Sequence, residues 1–411
     1  MRVSREDCAA LDACDALAHL RNRFALPEHI LYLDGNSLGP LPKATAPRVA
    51  DVIAREWGRD LIRSWNKHDW IGLPGRLGGL IAPLIGAAAD EVIVADSTSV
   101  NLFKLAVAAL RLKHPRTVIL SEEENFPTDL YILQGLRDFI GNNVELRLVP
   151  RERLPDSMDG SVAIVTLTHT DYKTGEVHDM AAINARAHEA GALTLWDLSH
   201  SAGAMEVSLG RDGADLAVGC GYKYLNGGPG APAFLYAASH LQSGLVQPLS
   251  GWMGHAAPFE FAPLYAPAAG MMRHLCGTPV VLGMAALEEG LRTFADVNMR
   301  EVEQKAQRLG DLFLQLVQER CSGEFVICCP APGERRGSQV ALRHPDGYAI
   351  MQALIEAGVV GDFRAPDVIR FGLAPLYTRY VDMWDAVARL AMVMQQQTWR
   401  AERFRVRAAV T

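Results

Sequence analysis

The sequence predicts an α/β protein, with a mainly parallel central sheet covered on both faces by helices and a smaller α+β unit following it. Three observations predict this. Between about residues 90 and 240, short apolar runs alternate with amphipathic helical stretches. The runs are apolar almost without interruption, as strands buried on both faces must be. After about residue 285 the pattern changes to long helices flanking a few strands with polar ends.

Taken in order, residues 1–60 form an N-terminal segment containing "ILYLDGNSLGPLP" and a helix, expected to contribute to the smaller domain. Residues 61–285 form the large domain. Its strands read as "EVIVAD", "TVILSE", "VELRLV", "VAIVTLT", "ALTLWDL" and "DLAVGCG". The helices between them read as "SVNLFKLAVAALRL", "TDLYILQGLRDFIG" and "MAAINARAHEAGA". Residues 286–411 form the C-terminal small domain, with helices in "VEQKAQRLGDLFLQLVQER" and "YVDMWDAVARLAMVMQQQ" and strands in "GSQVALRH" and "DVIRFGLA". Neither internal repeats nor low-complexity linkers interrupt the chain.

Composition excludes several classes. Of 411 residues, 49% are hydrophobic and 21% charged, which is ordinary globular usage. The formal charge of −7 and the lack of a basic run argue against nucleic acid. No apolar run approaches the ~20 residues that span a bilayer. The first twenty residues carry Asp and Glu among apolar ones, unlike a signal peptide. Seven irregularly spaced cysteines without a CxxC pair read as free thiols in a reducing cytoplasm, and no metal site is expected.

In a parallel α/β sheet, ligands bind beyond the carboxyl ends of the strands, so the residues just after each strand carry the chemistry. Asp197 ends a strand in "LTLWDLSHSAGA", with His200 three residues on. From position alone that carboxylate reads as a helix cap. Lys223 follows the strand "DLAVGCG", between two tyrosines and ahead of the turn "NGGPG". A lysine amine that forms a Schiff base and a buried carboxylate that keeps a pyridine nitrogen protonated are what pyridoxal phosphate requires. Ser97 and Thr98 open a helix where a phosphate could sit, although plain N-capping explains them equally. Phe126 follows another strand, where its ring could stack on a cofactor, and Asp129 begins the next helix. Thr168 ends a further strand. Hydroxyl, ring, carboxylate and amine thus converge on four strand ends.

The motifs "YLDGNSLGPLP", "IRSWN", "NFPTDLY", "LTHTDYKTGE", "WDLSHSAGA", "GCGYKYLNGGPGAPAFLY", "GWMGH" and "RFGLAPLY", in this order over nearly the whole length, resemble those of the kynureninase family. These are fold type I pyridoxal-phosphate enzymes of the class V aminotransferase superfamily. They cleave kynurenine to anthranilate and alanine. The resemblance implies Lys223 as the Schiff-base lysine, Asp197 as the partner of the pyridine nitrogen, and Tyr222 as the acid that shuttles a proton to Cβ. It places Phe126 on the cofactor ring, with Asp129 and His200 lining it. Ser97, Thr98, Thr168 and Tyr222 would contact the cofactor or its phosphate. Trp252 and Thr278 would reach the site from the second subunit of a cytoplasmic homodimer. Arg370 would grip the substrate α-carboxylate, whose planar fork it matches, and Ser37 and Trp65 would contact substrate. Trp65 and Thr278 follow the bacterial pattern for unsubstituted kynurenine. One departure stands out: Asp171 occupies a place where the family often has Asn.

Rival readings fare worse. "GNSLG" at 35–39 matches G-x-S-x-G, but Pro40 and Pro42 follow where a nucleophile elbow needs a helix. No strand runs into G-x-G-x-x-G. The nearest rival is a cysteine desulfurase or another class V pyridoxal-phosphate lyase; a desulfurase needs a mobile catalytic cysteine, and Cys276 and the Cys328–Cys329 pair sit in unsuitable contexts. A silent scaffold would have lost Lys223 or Asp197, and both are present.

Overall fold

The computed structural model describes residues 2–141 and 143–407. Its strands, in chain order, are β1 (Leu31–Tyr32), β2 (Val92–Val94), β3 (Val118–Glu122), β4 (Glu145–Val149), β5 (Val162–Thr168), β6 (Leu193–Asp197), β7 (Leu216–Gly219), β8 (Phe234–Ala237), β9 (Val326–Ile327), β10 (Gln339–Arg343), β11 (Val359–Val360), β12 (Asp362–Arg364) and β13 (Val368–Gly372). Strands β2 to β8 form a seven-stranded sheet in the order β2-β8-β7-β6-β5-β3-β4. The pairings among β7, β6, β5, β3 and β4 are parallel, and β8 runs antiparallel to both β2 and β7. Reading the sequence alone found six of these strands. It missed β8, whose four residues after Pro232 are too few to separate from the Gly/Pro turn before them.

Helices α1 (Thr98–Leu112), α2 (Pro127–Ile140) and α3 (Met180–Glu189) connect the strands. Each starts where the local chemistry favours it. Ser97 caps α1 through the Val100 N–H, proline occupies the first position of α2, and the Asp179 side chain accepts from the Ala182 N–H. Strands β2, β3, β5, β6, β7 and β8 are buried along their whole length, which accounts for their unbroken apolar runs. Apolar cores lie on both sides of the sheet, one holding Trp196 and Phe234, the other Leu105, Leu133 and Leu195.

Beyond α4 (Val281–Arg292) and the long α5 (Met299–Arg320), strands β12-β13-β10-β9 make an antiparallel sheet. It packs with α5, α6 (Gly347–Glu356) and α7 (Tyr380–Gln396) around a separate core that includes Phe313 and Phe371. The N-terminal segment bridges the two halves. Strand β1 pairs in parallel with β11, and the Gly39 N–H donates to the Tyr222 carbonyl at 2.8 Å. The carboxyl ends of β5, β6 and β7 therefore face a cleft bounded by β10, β13 and the segment 34–39.

Candidate active site

Lys223 lies on the turn after β7, half-buried, with Nζ 5.8 Å from the ring centroids of both Phe126 and Tyr222. Phe126 sits immediately before α2, so the helix start fixes its ring at the sheet edge. Its edge meets Tyr172, centroids 5.1 Å apart. The turn around the lysine demands unusual backbone, with Asn226 at φ 58° and Gly228 and Gly230 at 82° and 74°. Tyr224 points the other way and donates to the Ser338 carbonyl at 2.9 Å from a buried position, a packing role.

Asp197 ends β6 and is buried. Its Oδ1 accepts from the Ser199 N–H at 2.8 Å and the Ser199 hydroxyl at 2.6 Å. Asp129, equally buried, accepts from the Thr168 hydroxyl at 3.4 Å. Burial, then the neighbouring Asp197, pushes the Asp129 carboxyl well above the ordinary range. Burial raises Asp197 too, but the Ser199 donors and the Lys223 ammonium draw it back. Of the two carboxyls Asp129 is raised further, so Asp197 is the one that more readily carries the negative charge. His200 is buried, and burial followed by the charges of Lys223 and Arg370 drives its pKa well below the usual value. Burial likewise raises the Tyr222 phenol, which stays neutral.

A cavity of about 440 Å³ opens beside Tyr222 and is lined by Asp96, Ser97, Gly277 and Thr278 among others. The N-terminus of α1 faces it, with Thr98 as first helical residue. The fully buried Lys104 donates to Asp96 and, at 2.7 Å, to the His274 carbonyl, so the rim carries no bare anion.

Arg370 stands in the middle of β13 and is 1% exposed, so it is no surface ion pair at a strand start. Its Nε donates to Asp362 Oδ1 at 2.8 Å, and Nη2 donates to Asp362 Oδ2 and, at 3.3 Å, to Ser37 Oγ. Nη1 donates to the Tyr172 carbonyl. Ser37 also donates to Asp362 at 2.8 Å. Within one chain, then, Lys223, Tyr222, Phe126, Asp129, Asp197, His200 and Thr168 gather on one side, with Ser37 and Arg370 across the cleft.

Two residues stand apart. Trp65 meets Trp70, centroids 6.1 Å apart, and the exposed Trp252 meets Phe259 at 5.6 Å and Phe261 at 6.5 Å. Asp171 turns its carboxylate onto its own loop, accepting from the N–H groups of Lys173 and Thr174 and from the Thr174 hydroxyl. Sequence reading missed Ser199, Tyr172, Gln339 and Asn125, whose Oδ1 accepts from the Thr168 N–H at 2.9 Å. Only Ser199 left a signal, the Asp-x-Ser spacing of a local side-chain turn.

The family model for the kynureninase C-terminal domain matches residues 302–390. The chain is 50% identical to the kynureninase of Pseudomonas fluorescens over 415 residues, covering 100% of both chains. It is 51% identical to those of Burkholderia mallei SAVP1 and Burkholderia pseudomallei 1106a, over 99% of this chain and 100% of theirs. Among solved structures, a C-DES mutant with glycine covalently linked to its PLP cofactor superposes with a TM-score of 0.79 at 18% identity, covering 90% of this chain and 98% of that one. A cysteine desulfurase from Escherichia coli gives 0.76 at 18% identity, covering 92% and 98%. The structural likeness, at that identity, shows the fold, while the sequence identity runs from end to end: the chain belongs to the kynureninase family.

Proposed function

We propose that the protein hydrolyses the Cβ–Cγ bond of L-kynurenine to anthranilate and L-alanine, using pyridoxal 5′-phosphate. The observation that carries this is the half-buried Lys223 amine facing the Asp197–Asp129 acid pair and the Phe126 ring, in a chain half identical to kynureninases throughout.

The residues fit the cofactor. A buried anion whose own donors occupy one oxygen calls for a cationic N–H, which a protonated pyridine nitrogen is. The α1 N-terminus offers N–H groups and the hydroxyls of Ser97 and Thr98 to a phosphate, and Tyr222 lines the same cavity. Phe126 would hold the ring face, with His200 and Thr168 beside it. When bound, pyridoxal phosphate supplies an electron sink for negative charge at the substrate α-carbon.

The chain's own groups divide the remaining work. Arg370, oriented by Asp362, would meet the α-carboxylate with the one N–H its partners leave free, on Nη1, and Ser37 adjoins it. Lys223 would hold the cofactor through its carbonyl carbon, and its free amine would move the proton at the substrate α-carbon. Asp197 keeps the pyridine nitrogen protonated. Tyr222, neutral and beside Lys223, gives the proton that Cβ takes after anthranilate leaves. A desulfurase reading needs a thiolate, yet burial pushes the Cys276 thiol up, the opposite of activation.

The working unit in this reading is a cytoplasmic homodimer in which Trp252 and Thr278 serve the partner's site. The exposure of Trp252, with Phe259 and Phe261 exposed beside it, supports this for Trp252, whereas Thr278 lines the cavity beside Tyr222 of its own chain. Among the described residues no helix is long and apolar enough to cross a membrane.

The direct test supplies the purified protein with pyridoxal phosphate and L-kynurenine and follows anthranilate fluorescence. Turnover that disappears in Lys223→Ala is expected. Uptake of the cofactor without anthranilate release would overturn the substrate assignment. A side-by-side rate on 3-hydroxykynurenine reads the preference, for which Trp65 and Thr278 favour the unsubstituted substrate.

A further inference from the structure

Gln339 is a buried polar side chain that the reaction just described does not use. It stands on β10, 1% exposed, and its amide reaches across the cleft to three groups. Nε2 lies 3.1 Å from the carbonyl oxygen of Asp171 and 3.1 Å from that of Tyr172, and Oε1 lies 3.0 Å from Nδ1 of His200. Carbonyl oxygens only accept, so the NH₂ end must face those two carbonyls. The network therefore fixes the amide's orientation without any hydrogen being seen. The amide oxygen then faces His200, and it too only accepts. Nδ1 must carry a proton, since the other tautomer would set two lone pairs against each other at 3.0 Å.

His200 cannot hold a second proton there. Its ring is buried, and the Lys223 ammonium and the guanidinium groups of Arg370 and Arg364 all disfavour another positive charge. A neutral imidazole with its proton on Nδ1 has a bare Nε2. We infer that Gln339 is a positioning residue that locks His200 in the Nδ1–H tautomer, so that this ring offers the site a hydrogen-bond acceptor and never a donor.

The group that His200 receives must then be a hydroxyl or another donor. Pyridoxal phosphate carries one ring hydroxyl, which would donate to such an acceptor while it keeps its proton; this last step rests on the proposed cofactor, whereas the tautomer does not. The same amide also ties the C-terminal sheet to the 171–172 loop. The Tyr172 carbonyl accepts from both Gln339 and Arg370, and the Tyr172 ring meets Phe126. A shift of β10 would thus move the His200 partner and the Phe126 neighbour together.

The test uses full-length protein stripped of cofactor and labelled with ¹⁵N-histidine, read by long-range ¹H–¹⁵N correlation. His200 is assigned by the peak missing in His200→Asn. The expected pattern is a protonated Nδ1 and a bare Nε2, unchanged from pH 8 to pH 6. Gln339→Glu, whose carboxylate still accepts from Nδ1–H, should keep the Nδ1 proton. Gln339→Met should lose the pattern while the other histidine peaks stay in place. A wild-type Nε2–H tautomer, an imidazolium at pH 7.5, or a Gln339→Met spectrum identical to wild type in the His200 peak would each overturn the inference. If Gln339→Met fails to fold, the wild-type and Gln339→Glu spectra decide alone. Adding pyridoxal phosphate gives a separate readout: a visible band whose pH dependence shifts in Gln339→Glu supports the contact with the ring hydroxyl. An unshifted pH dependence overturns that contact. Failure to take up the cofactor at all would sink the proposed function and leave the tautomer result standing.

Discussion

Gly39 packs against the main chain of Lys223 so closely that a Cβ on Gly39 would stand 2.4 Å from the Lys223 carbonyl oxygen and 2.8 Å from Asn226 Cα. Both obstacles are backbone and cannot swing away. The N-terminal segment therefore acts as an outer wall for the turn that carries the reactive amine.

Gly39→Ala should accordingly cost about 1–3 kcal/mol in chemical denaturation, as overpacking does, and should weaken uptake of pyridoxal phosphate. Gly135, in the middle of α2 with open space around its Cα, provides the contrast. Gly135→Ala should gain up to about 1 kcal/mol and leave cofactor uptake unchanged. Equal behaviour of the two variants would refute the wall.

The greater upward shift of Asp129 over Asp197 sets an order between their amide variants. Asn is a fair replacement for a neutral acid and a poor one for an anion. Asp129→Asn should change stability by no more than about 1 kcal/mol and keep most cofactor affinity. Asp197→Asn should lower anthranilate production by roughly 10²- to 10⁴-fold. If the order reversed, the proton would belong on Asp197.

Lys104 and Asp96 are unequally buried, with side chains 0% and 32% exposed. Removing the carboxylate strands an ammonium with no access to water, whereas removing the ammonium leaves a carboxylate that water can reach. Asp96→Asn is therefore expected to cost the 3–5 kcal/mol of a broken buried pair, and Lys104→Met clearly less. Denaturant midpoints of the two variants give the comparison. Lys104→Met should also weaken phosphate binding, because the strut to the 274–278 loop is lost.

His274 is fully buried, and neither ring nitrogen has a hydrogen-bond partner among the described residues. Burial above all, then Lys104 and Arg273, lowers its pKa from 6.5 to about 3. A depressed folded-state value means stability that is present above pH 6.5 and lost as the pH falls towards 3. His274→Leu should therefore gain on wild type by roughly 2 kcal/mol more at pH 5 than at pH 7.5. Stability curves of the two proteins that ran parallel across this range would contradict the assignment.

Five of the six strands read in the central sheet are buried along their whole length and so are nearly apolar, while β4 is exposed to half-buried and alternates polar with apolar residues. Lys223, Asp197, Phe126 and Ser97 could be read because parallel strands deliver their chemistry at one end. Gln339 could not. Its partners His200, Asp171 and Tyr172 lie 139, 168 and 167 residues away, and nothing local to "GSQVALRH" marks a glutamine that crosses a cleft. Asp362, which orients Arg370, was hidden for a different reason, since the two are only eight apart in sequence. Their link depends on β12 and β13 lying side by side, with Asp362 opposite Arg370. Trp65 and Trp252 show the other limit, since one chain's geometry does not bring them to Lys223.

The reversal of β8 has a bearing on the lysine that its part in the sheet does not suggest. Because β8 turns back beside β7, with Gly219 opposite Phe234, residues 220–233 leave and re-enter the sheet at adjacent points on the same edge. A parallel continuation would have had to cross to the other end of the sheet and left the amine on a longer tether with widely separated anchors. Here the tether is a closed loop, knotted at its base by neighbouring strands, and much of the entropy of placing Lys223 is already lost when the sheet forms.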